Sequence, residues 1–96
     1  MTHYLVVYDI SDDAVRLKVA NKLKDYGMRR IQYSAFVGEL APRRYRSLVG
    51  ELRRIISGVR EGRRMIHLFP IPVSSLERVE VVGEWEPKEG GRVEVV

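Results

Sequence analysis

Residues 3–40, HYLVVYDISDDAVRLKVANKLKDYGMRRIQYSAFVGEL, decide the fold. The opening HYLVVYD is a short apolar run rich in Val and Tyr, which predicts a strand buried on both faces and central in its sheet. Ser11-Asp12-Asp13 then reads as a helix start, with Ser11 the expected cap and two carboxylates on the positive end of the helix dipole. Val15, Val19, Leu23 and Tyr26 recur at intervals of three and four and form one stripe, with Arg16, Lys18, Lys22 and Lys24 largely off it. Gly27 closes that helix. From residue 29 to 40, Ile31, Tyr33, Ala35 and Val37 alternate with Gln32, Ser34 and Phe36, the pattern of one strand or of a tight strand pair.

Outward from this stretch, Pro42 opens a second helix where its missing N–H costs nothing. Tyr45, Leu48, Val49, Leu52, Ile55, Ile56 and Val59 supply its apolar stripe, and Arg43, Arg46, Arg53 and Arg54 project from the opposite side. Gly58 and Gly62 end it, and residues 63–71, RRMIHLFPI, predict another buried strand stopped by prolines. Residues 78–83 and 92–96 give two further strand patterns; the RVEVV they share is too short to be a structural repeat. Strand, helix, strand or pair, helix, strand and two short strands predict an α+β sandwich, with two helices on one face of a mainly antiparallel sheet, the ferredoxin-like arrangement. A last strand at Val96 has no later partner in the sequence, so it either folds back onto the parent sheet or adds to the edge of a second copy, and exchange between two copies is the expected arrangement.

The 96 residues make a single domain, 1–96, and a chain this short gains stability readily by forming a dimer. Charge divides along it. Residues 1–76 carry +7 and residues 77–96 carry −3, for a formal net charge of +4. Of 17 basic residues 13 are Arg, whose planar fork grips phosphate bidentately. There is no Cys, hence no disulfide, thiolate zinc cluster or thiol nucleophile. No basic leader or long apolar run marks a signal peptide or a membrane span, so the expected location is the cytoplasm.

Chemistry has few candidates. His3 and His67 lie in strand patterns without a local nucleophile, and no phosphate-cradling glycine loop or zinc spacing is present. Asp9 stands out. At the end of a strand read as buried, a carboxylate is costly unless it is hydrogen-bonded or paired. Carboxylate oxygens suit Mg²⁺, but one Asp per chain is a poor site; two copies of Asp9 facing each other across a dimer axis make a better one.

The stretch from Tyr4 to Leu40 resembles the small CRISPR-associated adaptation protein, Cas-two, that partners the CRISPR integrase. The resemblance rests on Tyr8-Asp9-Ile10, the acidic helix start, Arg16, Lys18, Gly27, Arg30-Ile31-Gln32 and Ser34-Ala35-Phe36, and the element order extends it over the chain. It implies a ferredoxin-like homodimer completed by exchange of the last strand, held between integrase dimers and binding duplex DNA during spacer acquisition. It also implies a metal-dependent endonuclease acting on single-stranded RNA, sometimes on DNA. Asp9 would be the Mg²⁺ ligand, preceded by Tyr8, with Arg16, Lys18, Arg30 and Phe36 as supporting basic and aromatic positions. Lys18 departs from the Arg familiar there and Ala35 from Val.

Two functions follow. In one, Mg²⁺ on paired Asp9 and the arginines near it hydrolyse a phosphodiester. In the other, the Arg43, Arg46, Arg53 and Arg54 face brackets DNA without chemistry.

Overall fold

The computed structural model describes residues 1–84. Its elements are β1 (Thr2–Ile10), α1 (Asp13–Asp25), β2 (Arg29–Gln32), β3 (Ala35–Leu40), α2 (Pro42–Ser57), β4 (Arg64–Ile71) and α3 (Val73–Glu77). The strands form one antiparallel sheet in the order β2-β3-β1-β4, so β1 is central, between β3 and the edge strand β4. This is the ferredoxin-like α+β sandwich, with α1 and α2 packed on one face of the sheet. Residues 29–40 are the strand pair, β2 and β3, joined by a turn at Tyr33-Ser34.

Strand alternation decides what is buried. Val6, Tyr8 and Ile10 of β1 point to the helix-covered face and meet Phe36, Leu40, Val19, Ala20, Leu23, Leu48 and Leu52 in the core. Leu5, Val7 and Asp9 point the other way, and there Val7 is 37% exposed, Met65 55% and Phe69 46%. Among the described residues HYLVVYD is therefore covered on one face, not on both. Its apolar residues on the second face made it read as buried twice. Residues 63–71 likewise form an edge strand with an exposed outer face, and Pro70 sits in it because an edge strand can spare an N–H.

Asp12, not Ser11, caps α1: its side chain accepts from the Val15 N–H at 2.9 Å. Gly27, at φ +80°, turns the chain out of the helix. Between α1 and α2 a polar bridge forms. Glu51 accepts from the Tyr26 hydroxyl and, at 3.2 Å, from Lys22 Nζ, while the Tyr26 hydroxyl also meets Ser47 at 2.8 Å. These hydrogen bonds, led by the Tyr26 hydroxyl and then Lys22, hold the Glu51 carboxyl below its usual range.

No strand forms over residues 78–84, where Val79, Val81 and Val82 are exposed. A strand needs a ladder partner, and the described residues offer none there. The pattern at 92–96 and its exchange between copies lie outside the described residues. Among the described residues, no helix is long and apolar enough to cross a membrane.

Candidate functional site

Asp9 leaves β1 on the face away from the helices. Its side chain is 63% exposed and its Oδ1 accepts from Arg63 Nε at 2.9 Å. The expected cost of burying this carboxylate does not arise, because the strand is open on that side. Arg63 is held in place by its backbone. Its N–H donates to Ser11 Oγ at 2.9 Å, its carbonyl accepts from the Ser11 N–H at 3.0 Å, and the Ser11 hydroxyl also donates to that carbonyl at 3.4 Å. Gly62, at φ +84°, permits the approach: a Cβ there would run into Ser11 Oγ. Ser11, freed from capping, fastens the β1–α1 connection to the segment entering β4.

For Mg²⁺, the described residues of one chain provide a poor donor set. The described residues hold no group of three or more His, Cys, Asp or Glu able to bind a metal, and the charged partner of Asp9 is a cation.

Tyr8 points to the opposite face from Asp9. It is 3% exposed, its ring lies 6.3 Å from that of the fully buried Phe36, and its hydroxyl donates to the Tyr33 carbonyl at 3.4 Å. The Arg30 guanidinium lies 5.0 Å over the Phe36 ring and 5.8 Å from that of Tyr33. Its Nε is shielded from water without a hydrogen-bond partner. Arg16 approaches Tyr33 to 5.7 Å, while its terminal nitrogens donate to the Ile10 carbonyl, at 2.8 Å, and to Asp13. Asp13 first and Tyr33 second raise the Arg16 pKa further.

The structure thus brings Tyr8, Phe36, Arg30 and Arg16 together around Tyr33 and leaves Asp9 on the other side of the sheet. Lys18 is exposed; two residues on, about 200° around the helix, it points away from Arg16, which lies on the core side. Tyr33 and Arg63 were missed by the sequence reading. Tyr33 belonged to a pattern that fitted one strand or two, and Arg63 stands 54 residues from the carboxylate it meets.

On α2, Arg43, Arg46, Arg53 and Arg54 are all exposed, and none makes a side-chain hydrogen bond or ion pair among the described residues. Leu48 and Leu52 are buried on the side facing the sheet. Arg44 is used differently, with its guanidinium 4.7 Å over the Tyr26 ring.

Fold and surface define a small ferredoxin-like protein with an arginine-lined outer helix and an acidic strand end beside an anchored arginine. The sequence profile of CRISPR associated protein Cas2 matches residues 1–79, and the chain belongs to that family. A CRISPR-associated endoribonuclease Cas2 of Korarchaeum cryptofilum is 44% identical over 79 residues, 82% of each chain. Another, of Chloroflexus aurantiacus, is 50% identical over 54 residues, 56% of this chain and 64% of that protein. Among solved structures, a chain of a partial Cas6-RT-Cas1–Cas2 complex superposes with a TM-score of 0.70 at 27% identity, covering 85% of this chain and 91% of that one.

Proposed function

We propose that this protein is a cytoplasmic component of CRISPR spacer acquisition, a homodimer that binds nucleic acid by its phosphate backbone beside the CRISPR integrase and carries the endoribonuclease activity for which its relatives are named. The observation that carries the reading is the outer face of α2, where Arg43, Arg46, Arg53 and Arg54 are exposed, with no side-chain hydrogen bond or ion pair among the described residues. Arginines of this kind hold a backbone without reading bases, which suits a protein that must accept any sequence. The apolar face bearing Val7, Met65 and Phe69 supports a second copy as its cover. Two copies would also bring the two Asp9 carboxylates that a shared Mg²⁺ requires.

A second reading keeps the backbone binding and drops the hydrolysis. The lone Asp9 carboxylate, already paired with Arg63, favours it. Both readings are tested with two variants. Changing Arg43, Arg46, Arg53 and Arg54 together to Ala should weaken duplex and single-strand binding and flatten the salt dependence, by about 0.9 in log–log slope for each duplex phosphate that is no longer neutralised. Wild-type affinity at every salt concentration would remove that face from the proposal. Asp9→Asn should abolish Mg²⁺-dependent cleavage of single-stranded RNA by highly purified protein; cleavage that persists unchanged excludes Asp9 as its centre, and no cleavage by either protein leaves the bracket.

A further inference from the structure

We infer that Arg63 is a phosphate-binding residue and that Asp9 is its positioning residue. The inference rests on the backbone-binding reading above, the one in which Asp9 holds no metal, and adds a second phosphate site at the end of the sheet face on which a second copy is proposed to sit, where β1 ends and β4 begins. Exposed ion pairs are ordinarily loose, since two long side chains must lose rotamer freedom to hold one geometry. Here the backbone at both ends is fixed. Asp9 is in the β1 ladder, paired with Met65 of β4, and the Arg63 backbone is fastened by Ser11 through the opening that Gly62 leaves.

The atom engaged matters as much as the anchoring. Asp9 takes Nε of Arg63, and among the described residues nothing takes the two terminal nitrogens, on a side chain that is 67% exposed. A guanidinium clamped through Nε still presents its Nη atoms as donors to a phosphodiester oxygen. Arg60 is exposed on the same segment beside Glu61, while Arg64, paired with Ile10, lies on the opposite face of the strand. One carboxylate with an arginine held on it is a poor metal site and a good support for an anion-binding fork.

The roles differ in sign. A carboxylate acting only through its charge repels phosphate, so removing it should tighten binding. A carboxylate that holds Arg63 in place should weaken binding when removed, although a negative charge has gone. The test measures binding of a fluorescein-labelled oligouridylate by full-length protein in EDTA, by anisotropy over a salt series, with thermal melts of each variant as a folding control. Arg63→Ala should lower affinity about threefold to tenfold and reduce the salt slope by about 0.7 for each single-strand phosphate that is no longer neutralised. Asp9→Ala should lower affinity about twofold to fivefold, and should no longer do so in the Arg63→Ala background. Arg63→Lys, which keeps the charge but has no Nε fork, should bind weakly and be indifferent to Asp9→Ala. Unchanged binding by Arg63→Ala, or equal or tighter binding by Asp9→Ala, overturns this inference and leaves the α2 reading standing. No binding by the unsubstituted protein overturns both.

Discussion

Two glycines of this chain have nearly the same positive φ and very different surroundings, and alanine at each separates backbone strain from steric collision. Gly27 lies at φ +80° with no atom within 4 Å of where a Cβ would stand, while at Gly62, φ +84°, a Cβ would meet Ser11 Oγ. Left-handed backbone costs an L-residue about 1–2 kcal/mol, offset by about 0.4–1 kcal/mol because alanine also restricts the unfolded chain. Gly27→Ala should therefore cost about 1 kcal/mol. Gly62→Ala carries the same strain and must also turn the Ser11 hydroxyl away from Arg63, breaking its hydrogen bonds at 2.9 and 3.4 Å. At about 1 kcal/mol each, these bring the total to about 3 kcal/mol. For a domain of this size a difference of about 2 kcal/mol between the variants corresponds to roughly 8–16 °C in Tm. Urea titrations and thermal melts of the two variants measure it directly. Equal destabilisation by both would show that the Ser11 hydrogen bonds add nothing, and the account of how Arg63 is held would fail.

Other outcomes follow from the same geometry. Glu51 is held below its ordinary value of 4.5 by Tyr26 and Lys22, so it contributes stability that is full above that value and is lost as pH falls through its lower folded pKa. Melts carried from neutral pH into acid should show a shallower decline for Glu51→Gln than for the unsubstituted protein, and parallel declines would refute the bridge. Leu48→Ala, at a fully buried position, should cost about 2–5 kcal/mol, whereas Leu17→Ala, 61% exposed one helix away, should stay within about 0.5 kcal/mol. Phe69→Asp, on the face proposed to meet a second copy, should convert a dimer to a folded monomer in sedimentation velocity; a dimer that persists places the interface elsewhere.

The sequence was most legible where one helix face or strand face meets the core. Val19, Leu23, Leu48 and Leu52 are buried as their spacing requires, and Pro42 and Gly27 punctuate the helices as expected. The misreadings share a cause. HYLVVYD and RRMIHLFPI are apolar on both faces, and a sequence pattern cannot say that the described residues cover only one of them. RVEVVG alternates like a strand, yet a strand is made by its neighbour, and none is present among the described residues. Ser11 and Asp12 are both good caps, so composition could not choose between them. Asp9 was legible as unusual. Arg63 was not, because the pair depends on β1 and β4 lying side by side.

The period of two along β1 has a consequence for how this surface meets a polyanion. Tyr8 and Asp9 are neighbours in sequence but serve opposite faces, Tyr8 closing the core against Phe36 and Asp9 holding Arg63 in the open. Truncating Tyr8 removes a core ring at a cost of about 3–5 kcal/mol, so lost activity in that variant would report folding before chemistry. Asp9 and Arg63, both largely exposed, can be changed with little effect on the core. The α2 arginines point outward from a helix that covers the other face of the sheet, so both the helix and the sheet lie between them and the Asp9–Arg63 pair. A rigid duplex resting flat against one surface of a protomer cannot rest flat against the other, but a flexible single strand can pass around the edge of the sheet and meet both. For such a strand the affinity losses from Arg63→Ala and from the α2 substitutions should multiply, within the roughly twofold error of additivity for separated positions. A combined variant no weaker than the α2 variant alone would mean that Arg63 meets no phosphate of its own.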